Sequence, residues 1–516
     1  MHVFTLDSLL RIAAERWPDN VAISDGNRTV TYAELNDLVS RVTGWLVRSG
    51  LRRGDRVVVH LRKSIEEVAA MFAVARAGGV FVNIHPQWTV SQLQHVLSDS
   101  GAQILIAESR RGEELFKSGG FSGSLVVTGP QNVKGGILWS DVIQSEPNSG
   151  VRLIDADLAA LLYTSGSTGM PKGVMLTHSN LIAGARSVAT YLQNSEADLL
   201  LSVLPFCFDY GLSQLTTMCL VGGGVFLLPV AMPAEIVRSL VSHPITGFAA
   251  VPPIWVQLVH YLKENPTEFG CLRYITNSGG HIPEVIMDEF ERVLPGVSVF
   301  LMYGLTEAFR STYLSPEKFS LKKGSIGQAI PNAETFIISE GKGVCGPGEV
   351  GELVHRGSLV SQGYWNQPEL TAAKIRECPE LAQVIGREKV LYSGDLIRVD
   401  EDGDYWFVGR RDDMIKCSGF RISPTEVESV VSEGPEVEHV VAFGVYHEQF
   451  GQAVEIAVSA RTSGSIDSSQ LMQFCRSRLA NYMVPQRIHV WEGAMPRTAS
   501  GKIDRPAVVK FCKSSG

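Results

Sequence analysis

The stretch Leu158-Ala159-Ala160-Leu161-Leu162-Tyr163-Thr164-Ser165-Gly166-Ser167-Thr168-Gly169-Met170-Pro171-Lys172-Gly173 decides how the rest of the chain is read. Its first six residues are an unbroken apolar run, which by length and composition predicts a buried strand. Three glycines, four hydroxyl side chains and one lysine follow between Thr164 and Gly173. Glycines let the backbone turn its N–H groups toward an anion, and hydroxyls add neutral donors. The lysine supplies a point charge for a phosphate. This is not the common phosphate loop G-x-x-x-x-G-K-[ST], because Pro171 precedes the lysine and Gly173 follows it. On composition alone a flexible turn competes with a phosphate cradle.

Working outward, strand and helix signals alternate on both sides. Leu6 to Trp17 has helical spacing, and Thr31 is placed to cap a helix opening at Tyr32. Arg56–Leu61 and Val80–Ile84 read as strands, with a helix from Ser64 to Ala77 between them. That order predicts parallel strands in βαβ units. The pattern continues through 102–107, 180–192 and 198–203. From 199 to 232 only Asp209 is charged, a length sufficient to span a bilayer. Pro205, Pro229 and Gly222-Gly223-Gly224 interrupt it, so it is read as buried core. Short strands separated by glycines dominate from about 320 to 410 and predict a small antiparallel or barrel-like β unit. After Arg410-Arg411-Asp412-Asp413 comes a compact region with helix, strand, strand and helix signals. The expectation is an α/β fold: a large domain over 1–411, and a small α+β lid domain over 412–516.

The 516 residues exceed what one hydrophobic core usually organises. A net charge of −8 leaves no basic excess for nucleic acid. Eight scattered cysteines without a C-x-x-C fit reduced thiols, and the N-terminus lacks a signal-peptide pattern, so a cytoplasmic location and no membrane span are expected.

Further motifs appear in a fixed order: Tyr303-Gly304-Leu305-Thr306-Glu307, Tyr392-Ser393-Gly394-Asp395, Gly409-Arg410-Arg411-Asp412-Asp413-Met414-Ile415-Lys416, Gly419-Phe420-Arg421-Ile422-Ser423-Pro424, and Pro496-Arg497-Thr498-Ala499-Ser500-Gly501-Lys502-Ile503-Asp504. Together with 163–173 they closely resemble the adenylate-forming superfamily of acyl-CoA synthetases, peptide-synthetase adenylation domains and beetle luciferases. The likeness runs from Thr31 to Lys502 and extends to stand-alone bacterial ligases of the exosortase-associated type. It implies that a carboxylate attacks the α-phosphorus of MgATP to give acyl-AMP and pyrophosphate, and that a thiol then displaces AMP.

The resemblance also implies roles. Thr164, Ser165, Gly166, Ser167, Thr168, Gly169 and Lys172 would hold the outer phosphates. Tyr303, beside Gly304, would stack on adenine, Thr306 would donate to a phosphate, and Glu307 would help hold Mg²⁺. Asp395 would accept from the ribose hydroxyls, with Arg410 nearby. Lys502 would bridge acid and nucleotide in adenylation. Asp412 would be the hinge, and Gly419 would line a passage for the pantetheine of CoA or of a separate carrier protein.

The acid pocket is expected around Phe208, Asp209, Ser278, Gly279 and Arg310. Many acyl-CoA synthetases have a histidine where Phe208 stands. Phe208-Asp209 instead resembles amino-acid adenylation domains, whose aspartate pairs the substrate ammonium. Arg310 offers another partner for Asp209, or recognises a second polar group on the acid. Either arrangement favours a small polar acid or amino acid over a long alkyl chain. Two alternatives stay open: acyl transfer to an amine or hydroxyl, and a nucleotide-binding scaffold without activity.

Overall fold

The computed structural model describes residues 3–514 apart from 118, 120, 130–132, 165–170, 412, 418–419, 448–450, 463, 465, 480–482 and 499–500. Ser165 to Gly169 of the glycine-rich loop, the expected hinge Asp412, and Gly419 therefore lie outside the described residues.

Among the described residues, three sheets organise the chain. The first has seven strands, in the order Gly136–Leu138, Ser124–Thr128, Ile104–Glu108, Arg56–His60, Val80–Asn83, Leu158–Thr164 and Lys172–Thr177. All neighbours are parallel except the last two, which pair antiparallel with Thr164 opposite Lys172. Six of the seven residues in the first quoted strand are apolar, and Ala159 to Tyr163 are buried, as a strand covered on both faces requires. The crossover helix Ile65–Arg76 is buried nearly throughout, and its Arg76 is neutralised by Asp7 at 2.5 Å. Thr31 caps the helix Tyr32–Arg48 in a reciprocal capping box with Glu34.

The second sheet begins as parallel strands, with Gly224–Leu227, Leu199–Ser202, Gly247–Ala250, Tyr274–Asn277 and Ser298–Tyr303 side by side. The long uncharged stretch is thus two buried strands flanking the helix Asp209–Val221. No helix among the described residues is long and apolar enough to cross a membrane. The sheet then turns antiparallel through Thr312–Leu314 and Ser325–Ala329 into Tyr405–Arg410, Lys389–Val399, Val350–Gly357 and Ala333–Ser339. The antiparallel β unit expected near 320–410 is therefore an open extension of this sheet rather than a closed barrel.

The third sheet starts at Ile415–Cys417. It contains Phe420–Ile422, Val437–His447 and Gly451–Ala460, with Arg487–Trp491 added in parallel. Its own apolar cluster, built on Val427, Val431, Ile456, Val458 and Leu471, is separate from the larger cores. All eight cysteines are unpaired.

Candidate active site

The parallel strands Tyr274–Asn277 and Ser298–Tyr303 lie side by side, and the carboxyl ends of such strands are where α/β sheets ordinarily bind ligands. Tyr303 ends its strand there. The next residues fold into a short 3-10 turn, Thr306–Ala308. The Tyr303 hydroxyl donates to Asp395 Oδ2 at 2.5 Å. Asp395 and Arg410 sit directly opposite each other on neighbouring antiparallel strands, and Arg410 Nε lies 2.9 Å from Asp395 Oδ1. Burial raises the Asp395 pKa, opposed by Arg410 and by the Tyr303 hydrogen bond. Gly394 is needed just before it: at φ +79° a side chain is strained, and a Cβ would stand 2.9 Å from Lys374 Nζ.

Glu307 is fixed from a segment that sequence reasoning passed over. Its Oε1 accepts from the Tyr364 hydroxyl at 2.5 Å, and its carbonyl accepts from the Ser361 N–H at 2.8 Å. The same segment pairs with the strand after the glycine-rich loop, through Met175 N–H to the Gly363 carbonyl and Trp365 N–H to the Gly173 carbonyl. Glu307 and the strand that begins at Lys172 are thereby tied to one scaffold. Only the glycine and the two aromatics of Gly363-Tyr364-Trp365 could have signalled this.

Lys502 comes from the far end of the chain. It sits in a tight reversal closed by a bridge between Arg497 and Ile503, and its carbonyl accepts from the Thr498 N–H at 2.7 Å. The side chain reaches Gly279, on which a Cβ would stand 3.5 Å from Lys502 Cε and 3.7 Å from Nζ. Although the residue keeps solvent access, partial burial holds its pKa below the usual lysine value. Asp209 and Asp395 pull the other way, and Arg410 adds to the lowering. Lys502, Gly279, Asp209, Asp395, Arg410 and Tyr303 thus form one constellation. Thr306 and Glu307 belong to the turn beside it.

On the acid side, Phe208 precedes the helix that Asp209 opens, and its ring lies 5.7 Å from His85. Ser278 is buried at the end of its strand. Arg310 is only 1% exposed, and its Nη1 donates to Asp209 Oδ2 at 2.6 Å. Arg310 therefore faces inward, and the carboxylate that sequence alone left between two partners is paired with it.

Asp400, Asp402 and Asp404 also cluster, but Lys322 Nζ lies 2.6–2.8 Å from all three and fills the space a cation would take. Among the described residues, Glu307 offers a carboxylate that could hold Mg²⁺, an ion that prefers oxygen ligands. Tyr364 holds one of its carboxylate oxygens, and the other has no partner among the described residues.

The chain matches the sequence family described as AMP-binding enzyme over residues 10–365, and the AMP-binding enzyme C-terminal domain over 426–502. It is 32% identical to the 2-succinylbenzoate–CoA ligase of Geobacillus kaustophilus, covering 97% of each chain. It is 29% identical to the long-chain-fatty-acid–CoA ligase of Bacillus subtilis, over 97% of this chain and 93% of the relative. The o-succinylbenzoate CoA synthetase of Bacillus subtilis, in complex with its acyl-adenylate, superposes with a TM-score of 0.84 at 27% identity, covering 97% of each chain. That enzyme is also known with ATP and a magnesium ion, at a TM-score of 0.83 and 28% identity, covering 96% of this chain and 98% of the other.

Proposed function

The chain belongs to the AMP-binding enzyme family, and on that premise we propose that it activates a small polar carboxylic or amino acid. MgATP gives acyl-AMP and pyrophosphate, and the acyl group then passes to a pantetheine thiol. The observation that carries this reading is the meeting of Lys502 with the Tyr303–Asp395–Arg410 group across Gly279. A cation from the C-terminal region standing near a buried carboxylate and an aromatic ring suited to ribose and adenine is what adenylation needs, because negative charge builds between carboxylate and phosphate.

The remaining roles follow from chemistry and position. Asp395, acceptor-only when ionised, would exchange the Tyr303 hydroxyl for ribose hydroxyls. Arg410 would keep that carboxylate charged despite burial. Lys172 and the hydroxyls from Thr164 onward would hold the outer phosphates. Mg²⁺ bound with ATP would neutralise phosphate charge, and Glu307 would hold it from the protein side. We place the junction of the two domains at Asp412, and Gly419 on the thiol passage. CoA is the acceptor favoured by the ligases this chain resembles. A carrier-protein pantetheine offers the same thiol.

The direct test is acid-dependent exchange of labelled pyrophosphate into ATP over a panel of amino acids and small carboxylic acids, followed by CoA-dependent AMP release. Exchange with at least one acid is expected. Nucleotide binding without exchange for any acid would leave the scaffold reading, and exchange without thiol transfer would favour an amine or hydroxyl acceptor.

A narrower prediction concerns Tyr364. Partners behind a metal-holding carboxylate usually matter by about 10- to 100-fold in metal affinity. Tyr364→Phe is expected to raise the Mg²⁺ concentration giving half-maximal exchange by roughly 10-fold and to leave ATP binding measured without metal in place. An unchanged Mg²⁺ titration would remove Glu307 and Tyr364 from that role.

A further inference from the structure

Resting on the ligase reading above, we propose that the acid activated by this enzyme is a short dicarboxylic acid, its second carboxylate held by the free edge of Arg310. The guanidinium is buried, yet only one of its nitrogens is used: Nη1 donates to Asp209 Oδ2 and to the Phe309 carbonyl, at 2.6 and 2.7 Å. Nε and Nη2 are buried and have no partner among the described residues. These two nitrogens share one edge of the planar group and point their N–H bonds in parallel. That edge matches the two oxygens of a carboxylate. Leaving such donors unpaired in the interior is costly, so this edge calls for an acceptor group.

The cavity beside Arg310 is walled largely by apolar side chains, among them Val188, Leu192, Leu200, Met218 and Met302, and a few polar groups are set into that wall. It measures about 20 Å³, and Arg310 shares it with Tyr210, Gln214, Thr217, Thr276 and Asn194. Its guanidinium stacks on Tyr210, 4.8 Å from the ring centre. Gln214 is oriented by a chain of bonds from behind. Lys63 Nζ, which can only donate, gives a hydrogen bond to Ser202 Oγ at 2.7 Å, so Ser202 turns its own proton to Gln214 Oε1 at 2.7 Å. The Gln214 amide nitrogen is then left facing the cavity without a partner among the described residues, as is the Thr217 hydroxyl. Three unpartnered donor nitrogens therefore meet one unpartnered amide oxygen, that of Asn194. A group rich in acceptors satisfies this set, and an alkyl terminus strands it.

The backbone is shaped to present Arg310 in this way. Phe309 has φ +56°, unusual for a bulky residue, and is held there by burial of its ring against Gly184, where a Cβ would come within 2.3 Å of it. The acid must also be short. Asp209 touches Arg310 at one end, and its charge is felt by Lys502, beside which the reacting carboxyl would lie. The cavity itself has room for little more than one small group.

The test compares pyrophosphate exchange for dicarboxylates from malonate to adipate with monocarboxylates of equal carbon number. At least one diacid is expected to exceed its monoacid counterpart by about 100-fold or more in kcat/KM, because a site built on buried donors rejects ligands that leave them unpaired. Arg310→Gln and Arg310→Lys are each expected to lower that diacid-to-monoacid ratio by at least about 10-fold. The ratio is read within each variant, so partial loss of folded protein cancels. Gln214→Leu, which leaves the Arg310–Asp209 pair in place, is expected to lower it severalfold, mainly through KM for the diacid. Exchange with no acid at all would overturn the ligase reading and this one with it. Equal use of monoacids and diacids, or a ratio indifferent to all three variants, would overturn this inference and leave the ligase reading standing.

Discussion

Lys502→Ala is expected to slow adenylation by about 100- to 1,000-fold, the usual loss when one donor aimed at developing charge is removed. Transfer from preformed acyl-AMP to thiol should keep most of its rate. The asymmetry follows from position: Lys502 stands at Gly279 among Asp209, Asp395 and Arg410, where acid and nucleotide must meet. Among the described residues Lys502 is bonded through its backbone carbonyl, so truncating the side chain removes a charge without removing a fold element. Measuring the two half-reactions separately decides the point. Equal loss in both would mean that Lys502 acts through folding of the Arg497–Ile503 reversal.

The same assignment fixes a pH dependence. Adenylation requires the ammonium form, and burial shifts its pKa below the free-lysine value of 10.5. A lowered pKa means that the proton is lost as pH rises, earlier than in free lysine. Pyrophosphate exchange should therefore decline on the alkaline side below pH 10.5, and transfer from acyl-AMP should lack that limb. In Lys502→Arg any residual exchange should lose the limb, since guanidinium stays protonated. A shared limb in both half-reactions would assign it to another group.

How much of this could be read from sequence depends on the range of the interactions involved. The Thr31–Glu34 capping box and the apolar strand Leu158–Thr164 involve neighbours in the chain, and their patterns were plain. The order of motifs from Tyr303 to Lys502 was also plain, since each carries its own glycines and charged residues. The direction of Arg310 was not legible, because it depends on Phe309 adopting a positive φ, and no propensity predicts that for phenylalanine. Nor was the role of Gln214, which needs Lys63 and Ser202, 151 and 12 residues away along the chain (214 − 63 and 214 − 202), to turn its amide. Tyr364 escaped for a similar reason: its hydroxyl meets Glu307 only after the sheet has turned antiparallel.

The second large effect is expected at Asp395. It is 2% exposed, and its carboxylate links Tyr303 and Arg410. If ribose hydroxyls take over the place of the Tyr303 hydroxyl, each bond to this charge is worth roughly 1.5–3 kcal/mol. Asp395→Ala should then weaken ATP binding by about 10- to 100-fold. Affinity alone does not isolate the contact, because the substitution also leaves Tyr303 and Arg410 to rearrange. A cycle with 2′-deoxy-ATP does. The unaltered enzyme should bind ATP better than the deoxynucleotide, and Asp395→Ala should bind the two alike, since the hydroxyl then has no carboxylate to meet. Asp395→Asn keeps an acceptor oxygen but brings an amide toward Arg410, two donors facing each other, so it should fall near the alanine variant rather than midway. A variant that loses affinity yet still discriminates against the deoxynucleotide would show Asp395 to be a strut for Arg410, with the ribose held elsewhere.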